Sequence, residues 1–232
     1  MKRVLEAEMM DDPDLDDHHH REALAGLHRI NIFSGVEKTI WPLIRNLFHG
    51  DSSSLSLLDI ACGSGEIPIK LAQRASSLGF HLDLAGCDFS PLARQVALEK
   101  SNTANLKMKY QSIDVRQGSL AAMGQFDVVM CNLFLHHLEE HAAIHVLREA
   151  SKITKRLLIV NDIRRDWINL ILAKTVPRIL TRSKVVHVDA VRSVRAAYSE
   201  SEFRMLANNA GLPNARLRTV FPKRMILTWS PR

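Results

Sequence analysis

Four stretches of this chain carry side chains suited to holding a ligand or moving a proton. The first is Asp59-Ile60-Ala61-Cys62-Gly63-Ser64-Gly65, where an apolar run ends in an acid and turns through two glycines. The others are Gly86-Cys87-Asp88-Phe89-Ser90, Ser112-Ile113-Asp114-Val115, and Phe126 to Asn132 continuing through Leu133-Phe134-Leu135 to His136-His137. Glycines at 63 and 65 let backbone pass close to a ligand, and a helix opening behind them offers unpaired N–H groups. The dinucleotide fingerprint G-x-G-x-x-G is not met, because Pro68 stands where its third glycine belongs. Asp59 would repel a pyrophosphate but suits a cationic ligand. His136 is the candidate for removing a proton, since imidazole titrates in the useful range. Each of these residues also has a plain structural reading: Asp88 as a helix cap, Asp114 as a turn acid, His136 as a satisfied core histidine.

These residues need a scaffold that brings strand ends together. Apolar runs predict strands at 55–60, 82–87, 107–113, 126–131, 157–161, 216–221 and 224–229, and helical periodicity predicts helices at 67–78, 91–102 and 140–154. Repeated strand–helix units imply an α/β fold with a doubly wound, mostly parallel sheet. The last two strands are separated only by Pro222-Lys223, too short for a parallel crossover, so they form an antiparallel hairpin. Residues 1–50 are expected as a helical cap, 55–163 as the ligand-binding core, 164–199 as a helical lid, and 200–232 as a closing helix and hairpin, all within one domain.

Taken together, the four stretches resemble the successive motifs of class I S-adenosylmethionine-dependent methyltransferases, with Ala61 in place of the usual first glycine. The overall pattern is closest to the small-molecule group that includes the ubiquinone/menaquinone biosynthesis type. The resemblance covers residues 55 to about 154, and the terminal hairpin is also a trait of the family. It implies a Rossmann-like sheet of seven strands and S-adenosyl-L-methionine as cofactor. It further implies a cofactor site of Asp59, Ala61, Gly63, Ser64, Gly65, Asp88, Phe89, Asp114, Val115 and Asn132. In it the Asp88 carboxylate meets the ribose hydroxyls and Asp114 the adenine amino group. In the fourth motif His136 matches the general base of phenol-modifying O-methyltransferases, although its neighbour is His137 where that pattern has Asp. No metal is implied.

The acceptor is less well marked. The run Trp167 to Ala173 is apolar and is followed by Lys174, Arg178, Arg182 and Lys184, so the lid reads as the roof of an apolar pocket with basic groups beside it. His137, Arg164, Trp167, Leu170 and Ile171 are the expected acceptor contacts, for a phenolic, polyketide-like or quinone-like molecule that can be anionic. The plain alternative for the lid is a core-facing helix with a solvated basic face. Net charge is +6, and between 151 and 232 there are 17 Lys/Arg against 5 Asp/Glu. That basic third suits an anionic substrate, a transient membrane-surface or carrier-protein contact, or RNA. An RNA methyltransferase is the first alternative, and nucleic acid is disfavoured by the missing Asn/Asp-Pro-Pro-aromatic motif after Asn132. A non-catalytic S-adenosylmethionine-binding protein is the second. Three separated cysteines, Cys62, Cys87 and Cys131, fit packing rather than disulfides or zinc, and His18-His19-His20 fits a solvated or capping role. No long apolar span and no secretory leader pattern are present, so a cytoplasmic location is expected.

Overall fold

The computed structural model describes residues 1–12, 14–48 and 53–231, without the side chains of 11, 28 and 31–34. The cap boundary expected at residue 50 and the final residue, 232, lie outside it. Seven strands form one sheet: β1 (Ser54–Ile60), β2 (His81–Asp88), β3 (Met108–Ser112), β4 (Phe126–Asn132), β5 (Thr154–Ile163), β6 (Arg216–Val220) and β7 (Arg224–Trp229). Their order is β3-β2-β1-β4-β5-β7-β6, parallel from β3 through β5, with β7 antiparallel to both β5 and β6.

The central strands are buried on both faces, which is why they read as unbroken apolar runs. Successive side chains point to opposite faces. Leu58, Ile60, Val129, Leu158 and Val160 pack with α5 (Glu140–Lys152) and α8 (Glu200–Asn209), while Leu57, Val128, Met130 and Ile159 pack with α2 (Val36–Arg45) and α3 (Glu66–Ser76). Helix α4 (Pro91–Thr103) lies against β2 and β3. The sheet reverses its winding between β1 and β4, the position where open α/β sheets bind ligands beyond their carboxyl ends.

Above those strand ends sit α1 (Asp17–Ser34), α6 (Trp167–Leu180) and α7 (Lys184–Ala196). The expected lid at 164–199 is thus a pair of antiparallel helices. The expected cap at 1–50 divides in three. Helix α2 buries Ile40, Trp41 and Ile44 against the sheet and covers no strand end, whereas α1 packs on α6 and α7. Residues 1–8 are not helical; they form an extended strap along α7. Val4 donates its N–H to Arg195 O, and Met9 and Met10 donate theirs to the Asp189 carboxylate at 2.8 and 3.0 Å. The Arg3 guanidinium lies 3.9 Å from the Tyr198 ring centre and donates to Ala196 O and Leu138 O. Among the described residues, no helix is long and apolar enough to cross a membrane.

Candidate active site

The turn after β1 is built from backbone that most residues avoid. Ala61, Gly63 and Gly65 have φ of 51°, 51° and 69°, all left-handed. Gly65 is needed twice over: a side chain there would be strained, and its Cβ would come within 3.2 Å of Ala97 Cβ on α4. Long-range hydrogen bonds hold the turn. Cys62 N–H donates to Cys87 O (3.0 Å), Gly63 N–H to Asp88 Oδ2 (2.9 Å), and the Tyr110 hydroxyl to Gly63 O (3.0 Å). Ser64 Oγ accepts from Lys100 Nζ at 3.1 Å, and that ammonium pairs with Glu66.

Asp88 Oδ1 accepts from Ser90 N–H (3.0 Å), but it is Ser90 Oγ that caps α4, taking Ala93 N–H at 3.2 Å. The capping alternative for Asp88 therefore passes to Ser90. Each Asp88 oxygen has one backbone donor and retains a lone pair toward the cavity, as paired ribose hydroxyls require. Asp114 is gripped bidentately by Arg116, whose guanidinium lies 5.4 Å from the Phe89 ring centre. That grip holds the Asp114 carboxyl below the usual carboxylate range. An adenine amino group meeting Asp114 must share it with Arg116.

Asp59 shares the strand face of Leu55 and Leu57 and is 2 % exposed. Asn132 Nδ2 donates to it at 3.0 Å, and Asn161 reaches Asn132 at 3.4 Å, so β1, β4 and β5 are joined by one buried polar chain. Burial pushes the Asp59 carboxyl up to about 8, only partly offset by Asn132 and reinforced by the nearby Asp88. Leu133, directly after Asn132, has φ of 53° and turns the chain over the strand end.

The other end of the site is dominated by a pair that the sequence hid. His136 Nδ1 lies 2.6 Å from Asp162 Oδ1, and the His136 backbone N–H donates to Asp162 Oδ2 at 3.0 Å. Both side chains are buried, with His136 2 % exposed. The carboxylate fixes the ring so that Nε2 faces Glu8 Oε1, 3.8 Å away on the strap. Burial disfavours the charged imidazole, but Asp162 and Glu8 outweigh it and raise its affinity for a proton. His137 lies with its ring centre 4.2 Å from that of His136, and burial together with that neighbour keeps it neutral.

One cavity of about 1060 Å³ links these groups. Asp59, Ala61, Gly63, Ser64, Asp88, Phe89, Asp114, Val115, Asn132, His136 and His137 all line it; Gly65 stands behind the turn and shapes it from there. The lid contacts fall differently. Trp167 is 68 % and Ile171 51 % exposed, and neither they nor Leu170 lines the cavity. Arg164 is also outside it, tied to Asp166. The lining from α6 is Asn169, Leu172, Ala173, Val176 and Pro177, one residue round the helix from the expected face. Asn169 decides this, because its Nδ2 donates to Arg164 O and Lys223 O and turns that face inward. Leu24, Leu27 and Ile30 of α1 and Val186 and Val194 of α7 complete an aliphatic chamber. Arg224, 4 % exposed, reaches the same wall, and burial lowers its guanidinium to about 10.

Four contributors were missed by sequence reasoning: Glu8, Tyr110, Asp162 and Arg224. Asp162 immediately follows the strand expected at 157–161, so extending that strand would have exposed an acid at a carboxyl end. Glu8 carries no local signal.

A methyltransferase domain model matches residues 57–156. A ubiquinone biosynthesis O-methyltransferase of Psychrobacter arcticus is 29% identical over 131 residues, 53% of this chain and 49% of that protein. A second, from Psychrobacter cryohalolentis, is 32% identical over 90 residues, 38% of this chain and 33% of that one. The chain thus spans about half the length or less of these curated relatives. Among solved structures, the plantazolicin methyltransferase BpumL in complex with SAH shares the fold at a TM-score of 0.68 and 19% identity, over 96% of this chain and 92% of that one. The glycine turn, the acids at successive strand ends and the strand order with its antiparallel hairpin agree with the domain match, and residues 57–156 form a methyltransferase domain.

Proposed function

We propose that this protein binds S-adenosyl-L-methionine at the Gly63–Asp88–Asp114 end of the cavity and transfers its methyl group to a small, largely apolar acceptor held at the His136 end. The observation that carries the reading is the continuity of the cavity, from the glycine turn to an aliphatic chamber between α1, α6 and α7. A phenolic or quinone-like ring with an apolar extension suits that chamber, and Arg224 suits an anionic substituent.

The reaction is an in-line displacement. When bound, S-adenosyl-L-methionine would supply an electrophilic methyl group, to which an acceptor lone pair would bond as the carbon–sulfur electron pair leaves to sulfur and discharges the sulfonium. Alignment supplies most of the acceleration. When the acceptor is a hydroxyl, its proton passes to His136 Nε2, which Asp162 orients, and from there to solvent.

Several cations of the basic third are engaged locally: Arg165 with Glu202, Arg164 with Asp166, Arg192 with Asp189 and Glu6, and Arg204 with Glu200. This weakens the RNA reading. The outer face of α6 sets exposed Trp167, Ile171 and Ile179 beside Lys174 and Arg178, a surface suited to transient contact with an anionic membrane. The test is methyl transfer from labelled S-adenosylmethionine to phenols, hydroquinones, acyl carriers and bulk RNA. Transfer to phenols or hydroquinones that falls about 10²–10⁴-fold in His136→Ala, with cofactor affinity kept, is the expected result. Transfer to RNA alone would overturn it.

A further inference from the structure

At the acceptor end, three side chains from distant parts of the chain converge on one point. His136 Nε2 lies 3.8 Å from Glu8 Oε1 and His137 Nε2 lies 3.9 Å from Glu8 Oε2; the atoms the three residues offer all lie within 4.8 Å of one another. Such separations are too long for hydrogen bonds. They are within about half an ångström of the roughly 3.3–3.4 Å that separates two tetrahedral ligands bound at about 2.0–2.1 Å to a shared ion.

The surroundings of these residues point the same way. Ligating imidazoles ordinarily donate their other ring N–H to a carboxylate, and ligating carboxylates are themselves hydrogen-bonded. Here Asp162 takes Nδ1 of His136 at 2.6 Å, and the Ser193 hydroxyl donates to Glu8 Oε1. The strap that brings Glu8 in is pinned on both sides, by Arg3 to Leu138 O at 2.7 Å and by Asp189 to Met9 N–H at 2.8 Å. Two carboxylates, Glu8 and Asp162, adjoin the pair of imidazoles. All three offered groups line the cavity.

We propose that Glu8, His136 and His137 form a three-ligand site for a divalent transition ion of the zinc type, open on its remaining side to the acceptor cavity. Two imidazoles and one carboxylate favour zinc, cobalt or nickel over magnesium or calcium. The open position takes a water or an oxygen of the acceptor. The inference deepens the methyl-transfer reading and revises one part of it. The Nε2 assigned to proton removal is a ligand when the ion is bound, and acidifying an acceptor hydroxyl then falls to the ion.

The second cluster of this kind, Asp16, His18 and His19, is exposed at the start of α1, its carboxylate held, among the described residues, only by the local His18 and His19 N–H groups, so the test is made with His18→Ala/His19→Ala as background. Cobalt(II) is titrated into that protein and followed by its visible absorption, with zinc(II) competition by calorimetry. One cobalt per chain, with the intense bands of low coordination number, displaced by zinc, is expected. Glu8→Gln and His137→Ala should each weaken binding by at least about 100-fold without changing the metal-free melting temperature, and Asp162→Asn by about 10- to 100-fold. Should the buried Asp162→Asn variant not fold, the isosteric Glu8→Gln carries the test. Absence of the bands, or cobalt affinity unchanged in Glu8→Gln, overturns the site. Either result leaves methyl transfer standing, because cofactor binding and transfer are measured separately; an ion bound in a protein that methylates nothing would sink that reading alone.

Discussion

With the cofactor seated at the glycine turn as proposed, Asp59 should make its binding a proton-linked event. Its carboxyl is raised to about 8 by burial, so at pH 7 roughly ten of eleven unliganded molecules hold that proton. A sulfonium or ammonium brought beside it favours the carboxylate, and binding must expel the proton. At about 1.4 kcal/mol per pH unit, the expulsion costs about 1.4 kcal/mol at pH 7 and about 2.7 kcal/mol at pH 6, and vanishes above pH 9. The α-amino group of the ligand titrates near 7.7–8.0 in its own right. The informative quantity is therefore wild type relative to Asp59→Asn, in which the ligand's titration cancels. The amide keeps the contact from Asn132 but can carry no charge. A charge-assisted contact is worth about 1.5–3 kcal/mol, so the wild-type advantage should be about 10- to 100-fold at pH 9 and near parity at pH 6. A 10- to 100-fold preference lowers the bound carboxyl by about one to two pH units, so calorimetry at pH 7 in buffers of different ionisation enthalpy should find about 0.4–0.8 proton more released by wild type than by Asp59→Asn. Equal proton release, with a pH-independent affinity ratio, would refute the reasoning. The same shift sets unliganded stability. The unfolded chain loses this proton near pH 4 and the folded chain keeps it to about 8, so stability falls as pH rises across that window. Asp59→Asn should flatten the decline and raise the melting temperature at pH 8.

Ala61→Gly should stabilise the protein by about 0.5–1 kcal/mol, the relief of left-handed strain less the extra freedom of glycine when unfolded; differential scanning calorimetry should show a rise of about 1–4 °C. Asp88→Ala leaves ribose hydroxyls unpaired and should weaken cofactor binding roughly 30-fold or more by calorimetry. Leu172→Asn or Val176→Asn should raise acceptor KM by about ten- to hundredfold, whereas Ile171→Asn, on the outer face, should leave it unchanged. Trp167→Ala/Ile171→Ala should lower co-sedimentation with anionic vesicles and leave turnover on a soluble acceptor intact.

The glycine-turn end of the cavity was legible because it is assembled from strand ends, each announced by its own apolar run and terminal acid. The strands gave both the sheet and the crevice, and Pro222-Lys223 forced the closing hairpin through its shortness alone. Boundaries were weaker where punctuation is missing. No glycine or proline separates α5 from β5, and Thr154, expected to end the helix, begins the strand while its hydroxyl still bonds Ala150 O at 2.7 Å. The lid failed for a related reason. In Trp167–Ala173 six of seven residues are apolar, so periodicity cannot say which side faces in. The exception, Asn169, held the answer: its amide is needed by two carbonyls, and with Ala173 and Pro177 at spacing four it marks the buried stripe.

The acceptor end resisted for a different physical reason, which bears on how its specificity arises. Glu8 meets His136 across 128 positions of chain, through a strap with no helical or strand pairing of its own. Nothing local requires an acid there. Its position follows from contacts that α7 and the His136 turn supply: Asp189 to the strap's N–H groups, Arg3 to two carbonyls on the far side. A cofactor common to many proteins can be held by a motif readable in any of them, since the same ligand asks the same of each. Acceptors differ, and on the proposed reading the groups that meet them come from the strap and the helices above the sheet, where substitution leaves the core unchanged. Glu8 and the inward face of α6 are therefore where a change of acceptor should arise first, and Glu8→Gln should move acceptor preference while leaving cofactor affinity at its wild-type value.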